Sequence, residues 1–328
     1  MSETITAPVD LAEYVKTPDA SVPARLSRSA QGLKGSEILR IAAEIRALVA
    51  SGRRVCDLTV GDFNPRYFPI PKVLETALQA AIARGETNYP PANGVLELRQ
   101  AVARFYAREL GLEYPVESVL IVGGARPSIH AIFQTVCDPG DRVVYGVPSW
   151  NNNHYVHLVG AVDVPIACTP EHRFMPTREA IAAELPNARL LCLNTPLNPT
   201  GTAIERGALL GLCEAVLEEN ERRLARSERP LYVLYDHIYW MLSFGGTEHV
   251  TPPQLLPEMA RYTLFVDGIS KAFAATGLRV GWAVGPVDVI GRMASFLGHV
   301  GAWAPRAEQI ATVPLLDDPA AIREFGTV

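Results

Sequence analysis

At 328 residues, 48% apolar and 20% charged, the chain can hold one large domain or two around an ample core, with the composition of an ordinary soluble globular protein. A net charge of −5 gives no electrostatic footprint for nucleic acid or for an anionic membrane surface. No apolar run approaches the roughly 20 residues that span a bilayer, and the acidic start MSETITAPVDLAEYV has no basic flank and does not read as a signal peptide. The cysteines Cys56, Cys137, Cys168, Cys192 and Cys213 are odd in number and far apart, without metal-ligand spacing. They read as small core residues in a reducing cytoplasm.

Residues 1–34 carry three prolines and little periodicity, which predicts an arm of loose structure. Ser36 is placed to cap a helix with Ile38, Ile41, Ala42, Ile45, Leu48 and Val49 on one face, ended by Gly52. A short strand is expected over Val55–Val60, closed by the turn Gly61 to Pro65. Pro71 opens a helix burying Val73, Leu74, Ala77, Leu78 and Ala81. After the turn Tyr89-Pro-Pro-Ala-Asn-Gly94, a third helix runs from Val95 to Leu110.

From there the pattern alternates. Strands are expected at Ser118–Val122, Arg142–Val147, Val162–Ile166, Leu190–Asn194, Leu231–Asp236, Tyr262–Val266 and Val280–Val284. Helices are expected at about 128–137, 150–159, 177–184, 204–227 and 286–297. Apolar, β-branched runs alternating with helices predict an α/β fold, a mostly parallel sheet sandwiched by helices. In such sheets ligands lie beyond the carboxyl ends of the strands. The charged stretch Glu214 to Glu228 reads as the solvated face of a long helix.

The strand ends carry unusual residues. Val122 leads into Gly123-Gly124-Ala125-Arg126-Pro127, a small-residue turn into a helix whose free amides can attract phosphate. Trp150 after the next strand is either core packing or a plate for a ring. Asn194-Thr-Pro-Leu-Asn198-Pro-Thr-Gly201 is a rigid, hydrogen-bonding loop. Asp236 ends an apolar strand, and an ionised carboxylate there needs a partner. Tyr239 lies three residues on. Lys271, between an apolar run and small residues, is an amine whose proton is more easily lost when desolvated, as attack on a carbonyl requires; its plainer reading is a lysine snorkelling to water. Together these supply a Lys amine, an Asp carboxylate, an Asn amide, a Tyr hydroxyl, an aromatic plate, a phosphate turn and Arg279, a set that suits pyridoxal 5'-phosphate.

From about Ser36 onward the chain resembles the class I/II aminotransferases of the aspartate aminotransferase-like fold (fold type I of pyridoxal phosphate enzymes). The motifs that carry the resemblance stand in family order: Tyr89 with Asn93-Gly94 and Leu98-Arg99, Gly124-Ala125-Arg126, Asn194 to Gly201, Asp236-His-Ile-Tyr239, and Ser270-Lys271 with Arg279. The resemblance implies an amino group moved between an amino acid and a 2-oxo acid in a ping-pong sequence, with the cofactor held on Lys271 as a Schiff base. By it, Asp236 pairs with the ring nitrogen, Asn198 and Tyr239 bond the ring oxygen, and Trp150 stacks on the ring. Ser270, Arg279, Gly124 and the amides of Ala125 and Arg126 hold the phosphate, and Tyr89 reaches the phosphate of a second subunit in a homodimer. Lys271, Asp236 and Tyr239 are the catalytic set so implied. Another reaction on the same site, β-elimination or decarboxylation, is the alternative, as is a cofactor-binding chain without full activity.

The resemblance also sets expectations for organisation: an arm over residues 1–34, the start of a small domain at 35–65, a cofactor-binding large domain at 66–300, and an interdomain helix at 301–328 leading into a shortened C-terminal domain. That domain carries the family's arginine for the substrate carboxylate, which no residue here matches. Two further departures stand out. Gly268 replaces a serine that binds phosphate in many members, and Phe296 to Trp303 lacks an arginine used by dicarboxylate-specific members. His299 is a candidate contact in that stretch or a surface residue.

Overall fold

The computed structural model describes residues 10–16, 26–35, 37–57 and 61–325. Of the eight expected strands, the seven from residue 118 onward form, in a single sheet with order β1-β7-β6-β5-β4-β2-β3. They are β1 (Val119–Val122), β2 (Arg142–Val147), β3 (Val162–Ala167), β4 (Ala188–Asn194), β5 (Tyr232–Asp236), β6 (Thr263–Gly268) and β7 (Gly281–Val284). The pairs β2–β3, β2–β4, β4–β5 and β5–β6 are parallel. β7 runs antiparallel to both β1 and β6. A parallel return needs a crossover element, and the β6–β7 connection holds only the short helix α11 (Ile269–Ala272). Strand periodicity is the same in either direction, so this reversal had no signature in the sequence.

The helices before the sheet depart most from expectation. Residues read as loose arm include the short helices α1 (Ala12–Lys16) and α2 (Arg28–Gly32), the latter capped by the Ser27 hydroxyl accepting from the Ala30 amide at 3.2 Å. Helix α3 (Glu37–Ala50) forms, but its expected cap Ser36 lies outside the described residues. Of its apolar stripe, Ala42 is buried and Ile41 and Ile45 are half-buried, while Leu48 and Val49 stay exposed. The strand expected at Val55–Val60 does not form over residues 55–57, and 58–60 lie outside the described residues. Helices α4 (Lys72–Ala83) and α5 (Leu96–Leu110) match their expected spans, with Gly111 closing α5 at φ +64°, the left-handed cap that glycine adopts without penalty.

Helices α6 (Ala125–Val136), α7 (Asn152–Val159), α8 (Arg178–Ala182), α9 (Arg206–Ala225), α10 (Pro252–Leu255), α12 (Val287–Val300), α13 (Arg306–Asp317) and α14 (Pro319–Phe325) complete the fold. The pleat sorts strand side chains between two layers. Val119, Ile121, Leu191, Val233, Tyr235, Phe265 and Trp282 pack with residues of α5, α9 and α13. Leu120, Val122, Leu190, Cys192, Leu234, Val266 and Ala283 pack with α6, α7 and α12 on the other face. Both faces are apolar and covered, as continuous apolar strands require.

The charged stretch Glu214 to Glu228 is not simply a wet face. Glu219 and Arg223 are buried on α9 and joined at 2.7 Å. The Arg223 guanidinium also donates to the carbonyls of Leu185 and Ala188 at 2.8 and 2.6 Å. It thus ties the helix to the turn before β4.

Candidate active site

The carboxyl ends of β4, β5 and β6 meet the loop after β1, and glycines set the closeness of that meeting. Gly268 ends β6 opposite Gly281 of β7. A Cβ on Gly268 would lie 2.8 Å from the Gly281 Cα and the Val280 carbonyl oxygen. A Cβ on Gly281 would in turn lie 2.7 Å from the Gly124 carbonyl carbon. These are backbone contacts with no flexible side chain to yield. The missing serine at position 268 therefore has a steric reason: a side chain there has no room. The chain of close approaches joins the lysine segment, β7 and the β1–α6 turn.

That turn has the features of an anion cradle. Gly124 caps α6 at φ +91° without a side-chain hydrogen bond to the helix, so first-turn amides of the helix face outward with its positive end. The Arg279 guanidinium lies over Gly124, where a Cβ would sit 2.1 Å from Nη2. It donates to the Thr276 and Gly123 carbonyls at 2.7 and 3.1 Å. Arg279 has φ +57°, the left-handed region, which costs a non-glycine residue of the order of 1 kcal/mol and persists where the surroundings fix it. Ser270, buried in α11, is carried by the same segment. This donor set, with the Arg279 guanidinium held against the side-chain-free Gly124, can take a phosphate group.

Lys271 projects from α11 with its Nζ 5.9 Å from the centre of the Tyr239 ring. Burial pushes its pKa down; Asp62 opposes this, and the charges of Arg126 and Arg279 add to it. A larger neutral fraction is what a nucleophilic amine requires. The amine donates to the Gly61 carbonyl at 2.5 Å, and the Thr276 hydroxyl reaches Asp62 Oδ1 at 2.5 Å. The turn at Gly61–Asp62 thus belongs to the site, although in the sequence it reads only as a strand ending.

Asp236 is buried at the end of β5, and burial raises its pKa to about 6, against the hydrogen bond from the Ile238 amide. A carboxylate so placed gains from a cationic partner. Its backbone carbonyl accepts from the Thr195 amide and the Asn194 amide group, both at 3.0 Å. Asn194 Oδ1 accepts from the Asn198 amide at 2.8 Å, and Asn198 Nδ2 donates to the Tyr239 hydroxyl at 3.3 Å. The asparagine-proline loop is therefore bonded to the strand end that carries Asp236. Burial raises the Tyr239 pKa, the Asp236 charge adds to that, and the Asn198 bond opposes it.

Trp150 and Arg126 are brought together, the guanidinium 5.2 Å from the indole ring centre, a cation–π contact. One face of Trp150 is thus taken by Arg126, and a stacked cofactor ring would need the other face. Tyr89 is 85% exposed and packs edge-on against Trp303 at 5.5 Å. The Ala302 carbonyl accepts from the Gly123 amide at 2.9 Å. The expected site residues thus gather at one end of the sheet, whereas His299 is exposed on α12. Sequence reasoning also missed a polar group beneath the site: buried Tyr106, His237 and Asp267, joined by half-buried Trp240. The signal available was a His and an Asp inside apolar strand ends.

Residues 53–327 match the family model for aminotransferase class I and II. The chain is 33% identical over 302 residues to an aspartate/prephenate aminotransferase of Thermus thermophilus, covering 92% of this chain and 74% of that protein. It is also 33% identical over 286 residues to an aspartate aminotransferase of Rhizobium meliloti, covering 87% of this chain and 67% of that protein. Among solved structures, the aspartate aminotransferase from Thermus thermophilus with maleate superposes with a TM-score of 0.83 at 32% identity, covering 92% of this chain and 75% of that one. Those matches and the fold agree with the residues gathered at the strand ends, and the chain belongs to the class I and II aminotransferases, enzymes that transfer amino groups.

Proposed function

We propose that the chain is a pyridoxal 5'-phosphate-dependent transaminase that moves an amino group from an amino acid to a 2-oxo acid in two half-reactions at one site. The observation that carries this reading is the joint placement of a partly desolvated Lys271 amine, a buried Asp236 carboxylate and a helix N-terminus overlaid by Arg279. In this reading Lys271 holds the cofactor aldehyde, Asp236 the ring nitrogen, and Asn198 and Tyr239 the ring oxygen. Trp150 lies against the ring. Gly124, the Ala125 and Arg126 amides, Ser270 and Arg279 hold the phosphate. When bound, the cofactor supplies a ring that takes up the electron pair left by deprotonation of the substrate α-carbon.

The residues of this chain do the rest. Asp236 keeps the ring nitrogen protonated, since a buried carboxylate beside a cation is relieved of its desolvation cost. Lys271 Nζ takes the α-proton and returns it one step later, the role of an amine poised to be neutral. The charges of Arg126 and Arg279 act on the Lys271 amine and Asp62 opposes them, and these cations suit a phosphate and a substrate carboxylate together. Tyr89, exposed at the rim, would contact the cofactor phosphate of a second copy in a homodimer. Residues 66–300 form the cofactor-binding unit in this reading, flanked by the small-domain segment 35–65 and the interdomain helix at 301–328, and the enzyme works in the cytoplasm.

The test is direct. Purified chain is mixed with pyridoxal phosphate and each of a panel of amino acids with 2-oxo acid acceptors. Formation of the matching 2-oxo acid and new amino acid in equal amounts supports transamination. Release of ammonia or carbon dioxide in place of amino transfer would instead assign a β-lyase or decarboxylase.

A further inference from the structure

On the reverse face of β5 and β6, opposite Asp236, lies a polar cluster, buried at its centre and half-buried at Trp240 and His249, that the proposed chemistry does not use. Asp267 is 3% exposed and His237 and Tyr106 are 0% exposed. Asp267 Oδ2 accepts from the Trp240 indole at 3.0 Å, and its Oδ1 accepts from the Gly268 amide at 2.7 Å. His237 Nε2 stands 2.9 Å from the Tyr106 hydroxyl and 3.6 Å from Asp267 Oδ2. The Trp282 indole donates to the same hydroxyl at 3.4 Å, and His237 Nδ1 is 3.2 Å from His249 Nε2.

The position of this cluster in the chain gives it meaning. His237 directly follows Asp236, Trp240 directly follows Tyr239, and Asp267 precedes the Gly268 cap of the helix that carries Lys271. Each of three proposed site residues therefore has a near neighbour held in one network. We propose that Asp267 is a positioning residue, clamping through Trp240, His237 and Tyr106 the strand ends that carry Asp236 and Lys271, and that it acts by hydrogen bonding rather than by charge.

The balance of charge favours that mode. The ionisable groups acting on Asp267 are Tyr106 from α5 and Asp236 from the end of β5, with His237 3.6 Å away; His249, from the loop before α10, stands against His237, and Tyr114, from the loop after α5, acts on Tyr106. No lysine or arginine is among them. Burial keeps both imidazoles neutral, His249 with a pKa near 4. An ionised Asp267 would thus be a buried anion beside Asp236 with no cation to offset it, and burial pushes its pKa up to about 8 against the hydrogen bonds of the Gly268 amide, the Trp240 indole and Tyr106. The neutral carboxyl has a complete set of partners instead. Its O–H can donate to the Tyr106 oxygen, Tyr106 to His237 Nε2, and His237 Nδ1–H to His249 Nε2.

The inference rests on the cofactor reading for what the clamp positions, so its test uses the cofactor-free chain. Two variants separate bonding from charge: Asp267→Asn removes the charge and keeps one of the two acceptors that serve the Gly268 amide and the Trp240 indole, and Asp267→Leu keeps volume without any hydrogen-bonding group. Infrared spectra at pH 7 of the wild type should contain a protonated-carboxyl C=O band that Asp267→Asn loses. The pH midpoint of Lys271 acetylation by acetic anhydride, read by peptide mass, should move less in Asp267→Asn, which keeps one of the two accepted bonds, than in Asp267→Leu, which keeps neither. In Asp267→Leu it should rise by about one unit as the freed lysine gains water. If Asp267→Leu does not fold, Trp240→Phe, which removes one donor and little volume, should raise the midpoint in the same direction. Absence of the infrared band overturns the proposal, as does an Asp267→Asn shift as large as that of Asp267→Leu. A lowered melting temperature in Asp267→Leu or Trp240→Phe with an unmoved lysine midpoint reduces the cluster to packing. Failure of wild-type chain to take up pyridoxal phosphate would sink the cofactor reading while leaving both cofactor-free readouts decisive.

Discussion

Replacing Asp236 by Asn should stabilise the cofactor-free chain and weaken cofactor binding at once. The carboxyl titrates at 3.8 when unfolded and at about 6 when buried, so between those values the folded state binds more protons than the unfolded state. Stability contributed by this group is then lost as the pH rises through that window. About two pKa units at 1.36 kcal/mol each give about 3 kcal/mol of lost stability at pH 8. Asn is isosteric, keeps an oxygen for the Ile238 amide, and has no charge to desolvate. Urea unfolding of the cofactor-free proteins should therefore show Asp236→Asn more stable at pH 8 by up to about 3 kcal/mol, with the gap closing toward pH 4. A titration with pyridoxal phosphate should show the opposite order, because the ring nitrogen loses its charged partner. A charge-assisted bond of about 1.5–3 kcal/mol corresponds to roughly tenfold to a hundredfold in affinity. The reasoning is refuted if Asp236→Asn is the less stable protein at pH 8, or if its cofactor affinity equals that of the wild type.

Other substitutions test other parts of the account. Gly281→Ala would set a methyl group 2.7 Å from the Gly124 carbonyl carbon, forcing the β1–α6 turn outward. A loss of about 1–3 kcal/mol in a denaturant melt is expected, with weaker cofactor retention. A silent substitution would contradict the close packing. Glu219→Ala should cost about 3–5 kcal/mol by leaving Arg223 buried without its counter-ion, again read by urea unfolding, whereas a truly solvated helix face would give a change near zero. Arg279→Ala should weaken pyridoxal phosphate binding with little effect on the cofactor-free melt, since the residue is exposed and its left-handed backbone is already a cost.

Much of this molecule was legible in its sequence because the sheet is buried on both faces. Apolar runs such as Leu190–Asn194 and Leu231–Asp236 stand out from the amphipathic helices between them, and the seven strands of the sheet formed within a few residues of their expected spans. The polar residues at strand ends were legible for the same reason: Asp236 and Lys271 interrupt apolar sequence where a buried charge is costly. What escaped depends on contacts distant in sequence. The Gly61 carbonyl meets Lys271 across 210 positions, and no local pattern announces that. The Glu219–Arg223 pair looks like any exposed i,i+4 pair until the turn at Leu185 is packed over it. The steric need at Gly268 comes from Gly281, and that at Gly281 from Gly124. At the start of the chain the apolar stripe of α3 stays half covered among the described residues, so its periodicity promised more burial than the structure delivers.

The central claim, that Lys271 carries pyridoxal phosphate for amino transfer, is most directly tested by one comparison. Wild type and Lys271→Ala are each incubated with pyridoxal phosphate, dialysed, and reduced with borohydride, and the cofactor is located by peptide mass spectrometry. The account predicts a phosphopyridoxyl group on the peptide containing Lys271 in the wild type and none on the corresponding peptide of the variant. It further predicts that amino transfer is present in the wild type and abolished in the variant. Modification of another lysine with position 271 left unlabelled, or full amino transfer by Lys271→Ala, would contradict it.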